Sequence, residues 1–187
     1  MVKINAGVFI SGYGSNLKYL IQSSRGHNFP IRIGLVITNN PNAKGILYAK
    51  KNSIPYFIID TKRRDFENII LKKIKKHKIS LICLAGYMKI ISKEFIKNYG
   101  KKIINIHPSL LPKFKGLNTF EKILKNNEKK TGCTVHYVNK ELDSGKIIIQ
   151  KKFFIDTKDN IKSLKFKTQK LEYLAFSEAI IRIYRYN

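Results

Sequence analysis

From residue 4 to about residue 110, short apolar runs bounded by turn residues alternate with stretches of helical period. No other feature of the chain restricts its possible folds so tightly. The runs predict strands at Ile4–Ile10, Ile31–Ile37, Pro55–Ile59, Leu81–Ala85 and Lys102–Ile106. The stretches between them predict helices over Ser15–Ser24, Ala43–Asn52, Arg64–His77 and Ser92–Tyr99. Ser92 precedes Lys93 and Glu94, which suits an N-cap with an acid in the first turn. This β-α-β-α order predicts an α/β fold, an open and mostly parallel twisted sheet with helices on both faces and right-handed crossovers. A helix over Leu117–Lys125 follows, then strands Cys133–Val138 and Lys146–Ile155. The last element is a long helix over about Asp159–Tyr184, whose Ile161, Leu164, Leu171, Leu174, Ala175 and Ile181 follow helical spacing and predict a sheet-facing side. No repeat, low-complexity tract or linker interrupts the pattern, so residues 1–187 are expected to form a single domain.

Bulk properties exclude several classes. At 43% hydrophobic and 11% aromatic, the chain can bury a core. Cys83 and Cys133 stand alone within apolar runs, without zinc spacing or a secreted disulfide framework, and are expected to be reduced core thiols. The opening MVKINAGVFISG lacks a signal peptide's apolar stretch and cleavage site, and no segment approaches the roughly 18 apolar residues of a membrane span. A soluble, cytoplasmic protein is expected. The formal net charge of +25 by itself suits a polyanion partner such as nucleic acid. Of the 37 basic residues, however, six are arginine and the other 31 lysine, scattered over helix faces. Isoleucine and asparagine are abundant too, and all three have A/T-rich codons. Compositional drift therefore explains the charge, and no nucleic-acid partner is inferred from it.

Three segments can carry chemistry. Ser11-Gly12-Tyr13-Gly14-Ser15-Asn16 follows the first strand and opens the first helix. There glycines allow close backbone approach and helix N–H groups favour a phosphate; the plainer reading is a tight turn. The third glycine of the dinucleotide fingerprint is missing and Asp60 lies too far on, so a nicotinamide cofactor is not expected. Asn105-Ile106-His107-Pro108-Ser109-Leu110-Leu111-Pro112 stands at another strand end. Asn105 and His107 are two apart, so on extended backbone they point the same way, one an amide donor and the other a proton donor or acceptor. Together they can hold a carbonyl oxygen as it becomes an oxyanion. Glu141-Leu142-Asp143-Ser144-Gly145 places an acid where it can orient His107 and favour its charged form; a turn chosen for its backbone shape is the alternative.

In these segments, and in Leu84-Ala85-Gly86-Tyr87-Met88 and Thr131-Gly132-Cys133-Thr134-Val135-His136, the chain resembles the phosphoribosylglycinamide formyltransferases over nearly its whole length. The resemblance implies a Rossmann-like formyltransferase fold and transfer of a formyl group from 10-formyltetrahydrofolate to the primary amine of glycinamide ribonucleotide, through a tetrahedral intermediate and without a metal. It implies that Asn105, His107 and Asp143 are the catalytic set, with Asp143 keeping His107 protonated. It places the ribonucleotide phosphate on Gly14, Ser15 and Asn16, with Lys167 at a further phosphate-contacting position. Met88, Lys89, Ile90 and Ile91 would line the folate site with Asn105 and with Arg63, for which Arg64 is an alternative register. His136 is either a support for the site or a strand histidine, and the Leu111–Pro112 peptide is expected to be cis. The chain departs from the family at Lys170-Leu171, where Glu-His is usual, and at Lys113–Asn118, where Pro-Gly and a histidine are common. Two rival readings share some of these residues. A tRNA-directed formyltransferase would suit the charge, although Pro108 stands where that enzyme has glycine. A non-catalytic ribonucleotide- or RNA-binding module predicts salt-dependent RNA affinity and no transfer.

Overall fold

A computed structural model describes residues 2–185, excepting the side chain of Arg185. Within it β1 (Ile4–Ile10), α1 (Ser15–Arg25), β2 (Ile31–Thr38), α2 (Ile46–Lys51), β3 (Tyr56–Ile58), α3 (Phe66–Lys76) and β4 (Leu81–Leu84) alternate as the apolar pattern requires. They are followed by α4 (Lys93–Tyr99), β5 (Lys102–His107), α5 (Thr119–Lys125), β6 (Lys130–Tyr137), β7 (Ile147–Phe154) and α6 (Ile161–Arg185). The strands form one seven-stranded sheet in the order β3-β2-β1-β4-β5-β6-β7. Contacts group the chain into two compact units, Met1–Ile104 and Asn105–Asn187, with the division inside β5.

In the first unit β1 is central, pairing in parallel with both β2 and β4, and β2 pairs in parallel with β3. A strand covered on both faces has no polar side to show, and Ala6, Val8, Phe9 and Ile10 are fully buried. The Ser92 cap forms as expected, its Oγ accepting the Phe95 N–H at 2.9 Å, and Gly100 closes α4 in the left-handed region at φ 63°. Helix α2 starts later than its period suggests. Ala43 and Gly45 are held in turns, with the Gly45 N–H donating to the Gly12 carbonyl at 3.1 Å.

In the second unit β6 and β7 pair antiparallel, with an irregularity between Val135 and His136. Helix α6 packs on both strands. Its buried row runs through Leu164, Thr168, Ala175, Phe176, Ala179, Ile180 and Ile183, whereas Leu174 is 60% exposed. Leu164 and Ala175 of the expected face are thus buried, and Leu174 is the member that falls outside it. Leu174 sits one position from the Ala175–Ala179–Ile183 ridge, and small alanines on that ridge let the helix lie close to its neighbours. Helix α5 opens only at Thr119, because Asn118 takes a left-handed φ of 57°. The Leu111–Pro112 peptide is cis, as expected. Cys83 and Cys133 are both free and buried. Among the described residues, no helix is long and apolar enough to cross a membrane.

Gly132 marks where β6 and β7 approach most tightly, since a Cβ built there would lie 1.9 Å from the Lys151 carbonyl oxygen. That contact is with backbone, which cannot step aside. Gly132→Ala is expected to lower stability by about 3 kcal/mol or more, by overpacking. A urea unfolding midpoint within error of the parent would show that the strands part freely.

Candidate active site

Two residues of β5, two positions apart, turn to the same side because the strand is extended there. Asn105 Nδ2 donates to Asp143 Oδ1 at 3.3 Å, and His107 Nδ1 lies 3.2 Å from Asp143 Oδ2. Ile106 between them is buried among apolar groups. Asp143 arrives from the turn between β6 and β7 at a left-handed φ of 46°. Asn139 Oδ1 braces that turn by accepting the Glu141 N–H at 3.0 Å and the Ser144 hydroxyl at 3.1 Å. The structure thus brings together all three residues of the predicted catalytic set.

It adds three groups. The Gly116 N–H donates to Asp143 Oδ2 at 2.9 Å, and His107 Nε2 lies 2.8 Å from the Phe114 carbonyl oxygen. A carbonyl only accepts, so Nε2 carries a proton. His136, buried in β6, places Nδ1 2.9 Å from the Tyr137 carbonyl and Nε2 3.2 Å from Asn105 Nδ2. By the same reasoning Nδ1 of the neutral ring is protonated and Nε2 accepts from Asn105. His136 is thus a partner of the site, against the plainer reading of a strand histidine.

The pKa of His107 is shifted in the direction opposite to that expected. Burial pushes its pKa below the ordinary imidazole value and outweighs the upward pull of Asp143 and of the Phe114 carbonyl, while His136 and Lys122 push it further down. Asp143 was expected to keep the ring protonated; desolvation wins because only 5% of His107 is exposed. Burial also pushes the Asp143 carboxyl up. Yet His136, the Gly116 N–H and the charge of His107 together hold it below the ordinary carboxylate value. Nε2 faces the Phe114 carbonyl and Nδ1 stands 3.2 Å from Asp143 Oδ2, so ring and carboxylate are at the distance of a hydrogen bond. That arrangement is poised to take up one proton between them.

The remaining predicted residues fall into separate groups. In the first unit, Gly14 caps α1 at φ 72° with no side-chain cap and no acid in the first turn. A Cβ on Gly14 would meet the Gly45 Cα at 2.5 Å, so only glycine lets these backbones touch. Asn16 is buried and Ser15 partly so. Met88 and Ile90 follow β4 as exposed apolar side chains, 69% and 72% accessible, and the Lys89 ammonium lies 5.9 Å from the centre of the Phe66 ring. Ile91 is buried, so its side chain belongs to the core and cannot line an open surface. The Arg63 guanidinium is engaged by Asp65 at 2.9 and 3.1 Å, and that hydrogen bond raises its pKa. Arg64 borders a cleft with Glu67, Asn68 and Glu94. In the second unit, Lys167 is paired with Asp159 at 2.7 Å, which holds that carboxyl down at about 2. The Lys170 ammonium lies 4.3 Å from the centre of the Phe166 ring.

The Formyl transferase sequence pattern matches residues 4–180. The chain belongs to the formyl transferase family. It is 38% identical to the phosphoribosylglycinamide formyltransferase of Haemophilus influenzae over 89% of this chain and 80% of that one. It is also 38% identical to the trifunctional purine biosynthetic protein adenosine-3 of Gallus gallus, matching 95% of its own length but spanning only 18% of that longer relative. Among solved structures, the phosphoribosylglycinamide formyltransferase of Anaplasma phagocytophilum superposes with a TM-score of 0.91 and 40% identity, over 96% of this chain and 85% of that one.

In this formyl transferase the two depressed pKa values give a signed pH dependence. His107 contributes stability that is present above about 6.5 and lost as pH falls through its lower folded value. Asp143 contributes stability present above about 3.9 and lost as pH falls through its own folded value. The unfolding free energy should thus decline on acidification, first below about pH 6.5 and again below about pH 4. NMR titration should find His107 below 6.5 in the parent and lower still in Asp143→Asn, where the raising charge is gone. A parent value above 6.5 would restore the charged resting ring.

Proposed function

We propose that the chain transfers the formyl group of 10-formyltetrahydrofolate to the primary amine of glycinamide ribonucleotide, a step of purine synthesis in the cytoplasm. The two compact units would act as one formyltransferase domain, as the family match across both suggests. The observation that carries the reading is the convergence of Asn105 and His107, from one side of β5, on the buried Asp143 carboxylate.

The residues present fit the folate donor. Met88 and Ile90 offer exposed apolar surface for a flat ring, and Lys89 offers a cation for a carboxylate tail. Ile91 would contribute backbone only, and Arg63 only on release from Asp65. When bound, the donor supplies an activated formyl carbon attached to a leaving nitrogen. The turn at Gly14, Ser15 and Asn16 would take the ribonucleotide phosphate, using the start of α1. Lys167 is left with Asp159, its partner in the structure.

Asn105 is a preorganised donor. Its amide nitrogen is aimed by Asp143 and by the Nε2 lone pair of His136, which fixes which end of the amide faces inward. Both of its N–H groups are engaged in the structure, so one must leave its present acceptor to stabilise an oxygen that gains negative charge, the kind of contact that lowers a barrier by several kcal/mol, roughly 100- to 1,000-fold in rate. His107 and Asp143 handle the proton. The His107–Asp143 pair accepts, between Nδ1 and Oδ2, the proton released when the amine attacks, and the imidazolium is stabilised by Asp143 on one side and the Phe114 carbonyl on the other. The same proton is then available to the leaving nitrogen. Burial of the pair keeps bulk water from taking part.

Purified chain should convert glycinamide ribonucleotide and 10-formyltetrahydrofolate to the formylated product, followed by the absorbance of the released folate, and should leave initiator tRNA unmodified. Asp143→Asn should lower kcat about 100-fold or more while each KM stays within about threefold, because the lost charge matters only while the proton is in motion. Transfer to tRNA alone would overturn the reading. Asp143→Asn within threefold of the parent would reduce Asp143 to a turn residue.

A further inference from the structure

Ser11, the residue that follows β1 and opens the glycine turn, has every polar group engaged, and its partners lie on two other loops. Its N–H donates to the Gly86 carbonyl at 3.1 Å, on the loop after β4. Its carbonyl accepts the Asn40 amide at 2.9 Å, on the loop after β2. Its hydroxyl donates to Asn39 Oδ1 at 2.6 Å and accepts the Met88 N–H at 2.8 Å. Because β1 lies between β2 and β4 in the sheet, Ser11 is placed to reach the loops after both neighbours at once.

The hydroxyl bond is the consequential one. Gly86 takes a left-handed φ of 75° and is exposed, and of the residues that follow, Tyr87 packs edge-on against Phe9 with ring centres 5.4 Å apart while Ile91 is buried. Met88 and Ile90 are equally exposed, and exposed apolar side chains do not anchor their own backbone. Between those two anchors the Met88 N–H is fastened by the Ser11 hydroxyl, and that hydroxyl is in turn oriented by Asn39. With its single proton committed to Asn39 Oδ1, the Ser11 oxygen can only accept toward Met88. Asn39 thus polarises and directs the contact.

Resting on the proposed function, we propose that Ser11 is a positioning residue for the formyl donor: its hydroxyl holds Met88 and Ile90 at the height at which a flat ring meets them. The residue belongs by sequence to the phosphate turn, yet acts on the other substrate. Replacing it should accordingly separate the two substrates kinetically. General loss of fold would affect both.

The test uses the full chain with Ser11→Ala, Ser11→Thr as the conservative rescue, and Asn39→Leu as a second variant that leaves the hydroxyl in place but undirected. Steady-state kinetics are measured with each substrate varied, alongside thermal unfolding and amide hydrogen exchange across Gly86–Ile91. Ser11→Ala should raise the KM for the formyl donor about tenfold, with kcat and the ribonucleotide KM within about threefold, and should speed exchange at Met88. Ser11→Thr should return the donor KM to within about threefold of the parent, and Asn39→Leu should fall between. The proposal is overturned if Ser11→Ala leaves the donor KM within twofold, or raises both KM values together with a lowered melting temperature. If the parent transfers no formyl group, the proposed function itself has failed. Binding of a hydrolysis-stable folate analogue, by calorimetry, then decides the Ser11 proposal: weaker binding to Ser11→Ala supports it, and equal or absent binding to the parent and variant sinks it.

Discussion

A carboxylate that is only 9% exposed must be compensated by hydrogen bonds and charge, or it will not stay ionised. Asp143 meets that requirement with N–H donors from Gly116 and Asn105 and with the His107 ring 3.2 Å from Oδ2. The second unit is arranged around this need. The turn between β6 and β7 takes a left-handed residue so that the side chain can turn inward, and the loop after Pro112 passes close enough to present one backbone N–H and one carbonyl. Removing any single member leaves the others with unmatched groups in a low-dielectric setting, so their contributions are not additive.

The proton inventory of the site follows from the same burial. Each imidazole has one nitrogen committed to a backbone carbonyl, which settles its tautomer and leaves the other nitrogen facing Asp143 or Asn105. A freely solvated histidine would rotate and exchange tautomers. Here the backbone dictates them, and the chemistry of the side chains rests on two oxygen atoms that belong to Phe114 and Tyr137.

The parts of this design written in local sequence were legible in it. The apolar runs of β1, β2 and β4 and the Ser92 cap depend on neighbours in the chain, so pattern alone located them. Asn105 and His107 were paired correctly because a two-residue spacing on extended backbone has one outcome. The Phe114 carbonyl and the Gly116 N–H were not visible, since every residue has such groups and only the path of the loop selects these two. Left-handed turns at Phe114 and Asn118 carry no glycine to announce them. Leu174 of α6 was misplaced because leucine weighs heavily in a periodicity and alanine, as at 179, hardly at all, whereas close packing favours the smaller residue. The direction of the His107 pKa shift was misjudged for a related reason. The partner acid is a letter in the sequence, but the cost of desolvation exists only once the chain is folded.

The two buried thiols have a practical consequence. Cys83 lies in β4 of the first unit and Cys133 in β6 of the second, and burial raises both thiol pKa values, that of Cys133 to about 12. Neither can react with an alkylating reagent while its strand is closed, because the reactive thiolate is absent and the sulfur is out of reach. Each half of the molecule therefore carries its own clock. Modification of one sulfur before the other would report, without any added label or substitution, which half opens first and how often.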